Sequence, residues 1–275
     1  MNRVSSHDSD VSEPKSRSMT EPERALRSIL VTGAASPRGI GRATVRRLLL
    51  DGWNVALIDR DSAALTKFSR ELEASTDPGR VAAATADISK SAVVREAVEF
   101  LASKLPPFFG VVNLAGISSS TRYLGIGETE WRRVLDINLS GAHYVTQAAL
   151  PLLIKGGCGG RIVSISSVSA QRGGGTFSHT AYSTAKAGII GFTRALAREV
   201  GAHGITVNAI APGPIDTDIM GGALSEVQKI AMIAEQFIPR IGSVDDVAGV
   251  ISFLLGPDAA FVTGQTVNVN GGLYL

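Results

Sequence analysis

Residues 28–41, SILVTGAASPRGIG, carry the pattern that decides the fold class. The stretch begins with a short apolar run, 28–32, that has the length and composition of a buried strand. A glycine-rich loop follows, and from Gly39 to Leu50 apolar residues recur at helical spacing. A strand that passes through such a loop into a helix is typical of the first half of a β–α–β unit. The stretch therefore predicts a parallel sheet.

The same alternation continues to the end of the chain. Further apolar runs of strand length occur at 54–58, 81–86, 110–114, 161–166, 205–210 and 266–269. Helical spacing predicts helices at 62–74, 91–103, 128–153, 180–200, 224–236 and 244–255. Strands that alternate with helices of this length need right-handed crossovers and a sheet covered on both faces. We therefore predict the α/β class, with one doubly wound Rossmann-like domain at 28–275 around a parallel sheet of about seven strands.

The composition argues against several functional classes. Lys and Arg number 27 against 25 Asp and Glu, without a dense basic cluster, so we expect no nucleic-acid partner. No apolar run approaches the roughly 18 residues of a membrane span, so we expect no membrane association. Cys158 is the only cysteine, which excludes an internal disulfide and fits a reducing, cytoplasmic location. The four histidines lack metal-ligand spacing, so we expect no metal site.

The first 27 residues differ in composition from the rest of the chain. They are rich in Ser, Asp, Glu, Arg and Pro, and they lack the apolar stretch of a signal peptide. They are also too poor in large apolar side chains to offset the entropy lost on ordering. We therefore predict that residues 1–27 form a disordered extension.

The loop after the first predicted strand is a candidate nucleotide site, because ligands of open parallel sheets bind beyond the carboxyl ends of the strands. The helix that begins near Gly39 offers unpaired N–H groups and the positive end of its dipole to a phosphate. Asp59 ends the second predicted strand, where a carboxylate can hydrogen-bond the adenosine ribose and repel a 2′-phosphate. Asp59 therefore favours NAD, whereas Arg38 or Arg60 could pair with that phosphate and keeps NADP possible.

The next two strands also end in residues that suit a dinucleotide. Asp87 and Ile88 follow the third strand, where they are placed to meet the edge and the face of an adenine. The fourth strand runs into Asn113, followed by the small residues Ala115 and Gly116. Small residues at this edge would let the backbone lie against a cofactor.

Tyr182 and Lys186 are the candidates for acid–base chemistry. They lie four residues apart on one predicted helix and therefore share a face. A phenol titrates near pH 10 in water, and a nearby ammonium group favours the phenolate and lowers that pKa. The fifth predicted strand runs into Ser166 and Ser167, and a hydroxyl aimed at the same point can hold a substrate oxygen.

Taken together and in order, these motifs resemble the short-chain dehydrogenase/reductase family over about residues 28–275. The resemblance rests on the glycine-rich loop, Asp87, 113–116, Asn138, Ser167, 182–186 and 212–217. It implies hydride transfer between NAD, with NADP as the alternative, and a small-molecule secondary alcohol or its ketone. Relatives of this type include 3-oxoacyl carrier-protein reductases and dehydrogenases of sugars and cyclic alcohols.

The resemblance also implies roles for the matched residues. Tyr182 would be the catalytic acid/base, Lys186 would lower its pKa and hold the nicotinamide ribose, and Ser167 would donate to the substrate oxygen. The backbone of Asn138 would support a water that leads protons to Lys186, and 212–217 would form the rim against the nicotinamide. The expected cofactor contacts are Gly33, Ser36, Arg38, Gly39, Ile40, Asp59, Asp87, Ile88, Asn113, Ala115, Gly116, Tyr182, Lys186, Pro212, Gly213, Ile215 and Thr217.

Three features depart from the family pattern. Five residues separate Gly33 from Gly39, which is more than usual. Leu114 stands where the family usually has a second asparagine. Ser167 precedes Tyr182 by 15 residues, a longer spacing than usual, with the extra length in the glycine run at 173–175.

The spacing leaves two candidates for the catalytic serine. Ser166 is a rival to Ser167. We prefer Ser167 because it sits directly before Val168, which is where the family's serine usually sits. The last strand resembles one that usually packs in the family's tetramer interface. We therefore expect a homo-oligomer, either a homotetramer or a dimer.

Residues 215–239 are expected to form a lid and part of the substrate pocket. This segment contains several apolar residues, which suit a hydrophobic or acyl-type alcohol better than a free sugar: Ile219, Met220, Ile230 and Met232. A rival interpretation is a dinucleotide-sensing regulator or scaffold that keeps the fold without turnover. The intact serine, tyrosine and lysine argue against it, because a redox-inert sensor has no need of that trio.

Overall fold

The parallel sheet is the centre of the computed structural model, which describes residues 20–175, 178–222 and 224–275. In these residues seven strands lie in the order β3-β2-β1-β4-β5-β6-β7, and every neighbouring pair is parallel. They are β1 (Ser28–Thr32), β2 (Asn54–Asp59), β3 (Val81–Thr85), β4 (Phe108–Asn113), β5 (Gly160–Ile165), β6 (Ile205–Pro212) and β7 (Thr266–Val269). The strand order reverses at β1 and β4, which opens a crevice at the carboxyl ends of these strands.

Helices cover both faces of the sheet. One face packs against α2 (Ile40–Leu50), α3 (Ser62–Glu73) and α10 (Val244–Leu255), and the other against α4 (Ser91–Ala102), α6 (Gly141–Gly156) and α8 (Thr180–Val200). Alternation along β1 explains the two cores, because Ile29 and Val31 enter one of them and Leu30 enters the other. The predicted doubly wound Rossmann-like class is confirmed. Among the described helices, none has both the length and the apolar character that crossing a membrane would require.

The single helix predicted at 128–153 is wrong in one respect. The structure has α5 (Glu128–Leu135), a π-helical turn at Asp136–Ser140 and then α6. The side-chain amide of Asn138 donates to the carbonyl of Val134 at 3.0 Å, inside the helical path. The apolar spacing continues on both sides of this turn, so periodicity does not reveal it.

The predicted disorder of residues 1–27 does not hold for residues 20–27. A short helix, α1 (Glu21–Ala25), lies against the start of the sheet. The side-chain amide of Asn54 donates to the carbonyls of Ala25 at 2.8 Å and Arg27 at 2.9 Å. Composition alone cannot show these contacts with a later part of the chain. The rest of the predicted extension, 1–19, lies outside the described residues.

Two shorter helices complete the fold above the carboxyl ends of the strands. α7 (Val168–Arg172) was not predicted from the sequence, although nearby residues fix both of its ends. The hydroxyl of Ser167 caps its start by accepting from the backbone N–H of Ser169 at 3.1 Å, and Gly173, at φ +81°, ends it. α9 (Glu226–Ile233) is shorter than the helix predicted at 224–236. Neither helix lines the cleft itself; the residues that directly precede α7 and those of the segment before α9 do.

Gly41 gives a test of how tightly α2 packs against the sheet. A Cβ at this position would stand 2.1 Å from the carbonyl oxygen of Gly33, so backbone would have to move. We expect Gly41→Ala to lower the free energy of unfolding by about 1–3 kcal/mol in urea denaturation.

The matched control is Gly191→Ala, in the exposed middle of α8, where nothing lies within 4 Å of the new Cβ. It should raise stability by about 0.5–1 kcal/mol, since alanine loses less entropy in a helix. Equal effects of the two substitutions would contradict the close approach.

Candidate active site

A cleft of about 920 Å³ opens at the carboxyl ends of the strands. The glycine-rich loop forms one wall, the start of α8 forms the floor, and the segment after β6 forms the opposite wall. Most of the predicted site residues line it: Gly33, Ser36, Gly39, Ile40, Asp59, Asp87, Ile88, Ala115, Gly116, Ser167, Tyr182, Lys186, Pro212, Gly213, Ile215 and Thr217.

The glycine-rich loop forms a cradle of backbone at one end of the cleft. Gly33 has φ +69°, and a Cβ there would meet the backbone of Ala115 at 2.7 Å. Gly39 is the N-cap of α2 and has no side chain to cap it, so the N–H groups of the first turn lack that partner. A small anionic group such as a pyrophosphate suits this combination of close backbone and helix N-terminus. The loop therefore fits the phosphates of a dinucleotide.

Asp59 stands beside this loop at the end of β2. Its carboxylate accepts from the backbone N–H of Ala35 at 2.9 Å and of Asp61 at 3.0 Å. Asp87, at the end of β3, accepts from the N–H of Ser89 at 2.9 Å. Burial opposes ionisation of Asp87, but the hydrogen bonds from Ser89 outweigh it and lower the pKa of this carboxyl. Two carboxylates thus border the end of the cleft nearest β2 and β3.

Ser167, Tyr182 and Lys186 meet at the floor of the cleft. Ser167 follows β5, while Tyr182 and Lys186 lie on the first turns of α8, and all three are buried. The side chain of Ser167 lies close enough to the hydroxyl of Tyr182 to favour its phenolate form. Nζ of Lys186 lies 5.7 Å from the centre of the Tyr182 ring and donates to the carbonyl of Ile165 at 3.0 Å. One proton donor, one hydroxyl and one amine are therefore placed within a single small site.

Burial controls the protonation of this group. It raises the pKa of Tyr182 to about 12, with partial opposition from the hydrogen bond of Ser167, and it lowers the pKa of Lys186 to about 7. The expectation that Lys186 would bring the Tyr182 pKa below its ordinary value is therefore wrong for the free protein. A lysine with a pKa near neutrality carries only part of its charge at pH 7, and it cannot offset the loss of water around a phenolate.

The two candidate serines have different environments. The hydroxyl of Ser166 donates to the backbone carbonyl of Lys186 at 2.8 Å, which fastens α8 to the end of β5. The hydroxyl of Ser167 instead faces Tyr182. The contacts favour Ser167 over Ser166 as the residue that would hold a substrate oxygen.

The comparisons with known proteins agree with this geometry. A family model described as Enoyl-(Acyl carrier protein) reductase matches residues 33–274. The (3R)-3-hydroxyacyl-CoA dehydrogenase of Homo sapiens is 38% identical over 92% of this chain and 98% of its own. The 3-oxoacyl-[acyl-carrier-protein] reductase of Pseudomonas aeruginosa is 39% identical over 90% of this chain and 96% of its own. The chain belongs to the short-chain dehydrogenase/reductase family.

A solved structure resembles this dehydrogenase/reductase just as closely. The NADPH complex of a blue fluorescent protein from a metagenomic library has a TM-score of 0.82 and 37% identity, covering 90% of this chain and 98% of its own. The predicted family and the predicted class of enzyme are confirmed. The protein is a dehydrogenase/reductase for hydroxyl or keto groups, and its family uses NAD(H) or NADP(H).

Asn138 lies beside the floor of this enzyme's cleft, without lining it. Its side chain exchanges two hydrogen bonds with the backbone of Ile117, at 3.0 and 3.2 Å. A Cβ on Gly116 would stand 2.7 Å from Oδ1 of Asn138 and 3.4 Å from Nζ of Lys186. Asn138 therefore sits close to Lys186, and Gly116 leaves the room that both side chains occupy.

Asn113 and Arg38 are placed differently from the sequence-based expectation. Asn113 does not line the cleft. Its side-chain amide donates to the hydroxyls of Thr146 on α6 and Ser164 on β5, at 3.0 and 3.2 Å, and so connects β4 to these two elements below the floor. Arg38 also lies outside the lining and forms an ion pair with Asp216 at 2.5 Å. For these two side chains the structure shows contacts within the protein, and the predicted cofactor contacts stay predictions.

Two carboxylates at the cleft were missed by the sequence reasoning. Asp218 lines the cleft and accepts from the hydroxyl of Ser36 at 2.8 Å and the N–H of Arg38 at 2.9 Å, while Asp216 holds the Arg38 side chain. About 180 residues separate these partners in the chain. No local pattern connects positions so far apart. The only sign of these contacts in the sequence was the presence of two acidic residues, Asp216 and Asp218, soon after Ile215.

Lys186 gives a test of the buried site through the pH dependence of stability. The unfolded chain keeps this lysine protonated up to its ordinary pKa of 10.5, whereas the folded protein releases the proton near pH 7. Below pH 7 the full penalty of burying the amine opposes folding, and the penalty disappears as pH rises to 10.5. Lys186→Met removes it, so the stability gain over the parent should be larger at pH 7 than at pH 10 by about 3 kcal/mol.

The measurement is urea denaturation of both proteins at the two pH values. The control is Lys67→Met on the exposed face of α3, which should show no such dependence on pH. A gain for Lys186→Met that is the same at both pH values would contradict the burial of this amine.

Proposed function

We propose that this protein is a NAD(H)-dependent oxidoreductase that interconverts a secondary alcohol and its ketone, with Tyr182 as the acid/base. The observation that carries the proposal is the meeting of Ser167, Tyr182 and Lys186 at the floor of a cleft that begins at a glycine-rich loop. The loop and Asp59 suit a dinucleotide, and the buried trio suits proton transfer to an oxygen.

Each residue of the trio has a distinct task in this mechanism. In reduction, the hydroxyl of Tyr182 donates its proton to the carbonyl oxygen of the substrate; in oxidation, the phenolate takes the proton from the alcohol. Ser167 donates a hydrogen bond to the same oxygen and holds it beside Tyr182. A nicotinamide cofactor, when bound, would supply the hydride chemistry. Lys186 would hold the nicotinamide ribose and, with the backbone of Asn138, would supply a route for the proton to leave Tyr182.

The raised pKa of Tyr182 defines the resting state of this acid. With a pKa of about 12, the phenol is protonated at neutral pH in the free protein. It is therefore ready to donate a proton to a ketone. Oxidation needs the phenolate first, so that direction depends on positive charge beside Tyr182, which the protonated form of Lys186 and a bound oxidised nicotinamide would supply.

Tyr182→Phe tests the proposed acid/base. The substitution removes the hydroxyl and keeps the ring, so turnover should fall by at least about 10²-fold while NADH still binds. The measurement is absorbance of the reduced nicotinamide during turnover of 3-oxoacyl thioesters and other ketones. NADH binding is followed separately by its fluorescence.

Retained turnover in Tyr182→Phe would contradict the role of this residue. Binding of NADH to the parent protein without turnover of any ketone or alcohol in the panel would favour the alternative, a dinucleotide-sensing regulator. The comparison therefore separates an enzyme from a sensor, which a cofactor titration alone does not.

The preference for NAD over NADP rests on Asp59. Its carboxylate is held in place by the N–H groups of Ala35 and Asp61 and lines the cleft. A fixed negative charge here repels a 2′-phosphate and accepts hydrogen bonds from ribose hydroxyls. Of the two arginines that could favour NADP, Arg38 has its guanidinium engaged by Asp216, whereas Arg60 lines the cleft.

Asp59→Asn tests this preference. Removing the charge should lower the ratio of kcat/KM for NAD to that for NADP by about 10-fold or more, because one unit of charge repulsion is lost. The control is Asp61→Asn, one of the neighbouring carboxylates at the same cleft wall. An unchanged ratio in Asp59→Asn would show that another group selects the cofactor.

The proposed substrate is a hydrophobic ketone or alcohol, such as a 3-oxoacyl thioester. Beyond the trio, the cleft is bordered by apolar side chains of Ile117, Ile137, Ile215 and Ile219. Such walls stabilise an acyl chain and offer few hydrogen bonds to a free sugar. The names of the human and Pseudomonas relatives, which refer to acyl-CoA and acyl-carrier-protein substrates, point the same way.

The protein is also proposed to assemble as a homo-oligomer, either a dimer or a tetramer. β7 is an edge strand of the described sheet, and an exposed sheet edge is a ready surface for pairing. Phe261 and Leu275, close to this edge in sequence, have exposed apolar side chains. Burial of these side chains against a second copy would remove apolar surface from water.

A further inference from the structure

The described part of the lid segment, residues 215–222 and 224–239, is fastened to the glycine-rich loop by a small group of polar contacts. Asp218 accepts from the hydroxyl of Ser36 at 2.8 Å and from the N–H of Arg38 at 2.9 Å. Asp216 forms an ion pair with the guanidinium of Arg38 at 2.5 Å. We call these four residues the latch. It joins the two opposite walls of the cleft.

Asp216 is the centre of the latch. Besides Arg38, it accepts from the backbone N–H of Leu224 at 3.3 Å, and Nζ of Lys229 lies 3.7 Å from its other oxygen. Burial opposes its ionisation, but the N–H of Leu224 and the charges of Arg38 and Lys229 outweigh this and lower the pKa of Asp216. The carboxylate therefore organises both the lid and its connection to the loop.

Few buried side chains hold helix α9 of the lid in place. All eight residues of α9 are described, and none of them is fully buried. Val227 and Ile230 are 78% and 68% exposed, so they add little hydrophobic stabilisation. A segment with few buried apolar contacts opens at low free energy, and its polar contacts then decide how often it opens.

We propose that Asp216 and Asp218 are positioning residues that hold the lid over the bound cofactor and set the rate at which it leaves. The loop side of the latch, Ser36 and Arg38, belongs to the wall that would cradle the phosphates. The lid must swing away from this wall for a dinucleotide to pass. The proposal rests on the cofactor site proposed above, and it gives Arg38 a role in closure that differs from contact with the cofactor.

The first experiment measures the lid in the free protein. Amide hydrogen exchange, followed by mass spectrometry, is compared for the parent, Asp216→Asn and Arg38→Gln. Peptides that cover 224–233 should exchange about threefold to tenfold faster in both variants, as expected for loss of a partly exposed ion pair. Unchanged exchange would overturn the latch, whether or not the protein binds NADH.

The second experiment measures release of NADH. The complex is mixed with excess NAD in a stopped-flow instrument, and loss of NADH fluorescence gives the dissociation rate. Asp216→Asn and Arg38→Gln should each raise this rate about threefold to tenfold, and the double variant should raise it no further, because both changes break the same contact. Asp216→Glu, which keeps the charge, should restore part of the slow release.

Glu235→Gln is the matched control. Glu235 belongs to the same lid and forms an ion pair of the same length, 2.5 Å, but with Arg172 on α7. Its substitution should leave NADH release unchanged. An equal acceleration in Glu235→Gln, or additive effects in the double variant, would overturn the proposal. A parent protein that binds no NADH would refute the proposed function, while hydrogen exchange would still decide on the latch.

Discussion

Helix α2 lies against the end of β1 because Gly41 has no side chain, and a Cβ there would stand 2.1 Å from the carbonyl oxygen of Gly33. This close approach brings the N-terminus of α2 to the mouth of the cleft, where its N–H groups and its dipole face an anion. It also puts Gly33 against the backbone of Ala115, so β4 ends beside the same loop. The nucleotide end of the cleft depends on this contact between two stretches of backbone.

The chemical end of the cleft depends on exclusion of water. The same burial raises the pKa of Tyr182 and lowers that of Lys186, so at pH 7 the phenol is protonated and the amine carries only part of its charge before a cofactor binds. Ser166 contributes to this arrangement indirectly, because it fastens α8 to β5 through the carbonyl of Lys186. Loss of water keeps the Tyr182 phenol protonated, and positive charge from a bound cofactor would favour the phenolate.

Local sequence patterns predicted the strands and most helices well. Short apolar runs and helical spacing reflect burial on a sheet or on one face of a helix, and both are properties of neighbouring residues. The patterns failed where a long-range contact or a local irregularity decided the outcome. Residues 20–27 are ordered by Asn54, and the helix predicted at 128–153 contains a π turn that its apolar spacing does not mark.

The sequence by itself determined the doubly wound fold and the family, and it singled out Tyr182, Lys186 and a serine at 166 or 167 as candidates, because these depend on residue type and on short spacing along the chain. Tertiary structure alone decided which serine faces Tyr182, where Asn113 and Arg38 point, and which way the pKa of Tyr182 moves. It also decided that Asp216 meets Arg38, which lies 178 positions earlier in the chain. The physical reason is that burial and ion pairing depend on which groups the folded chain brings together, and no periodicity records that.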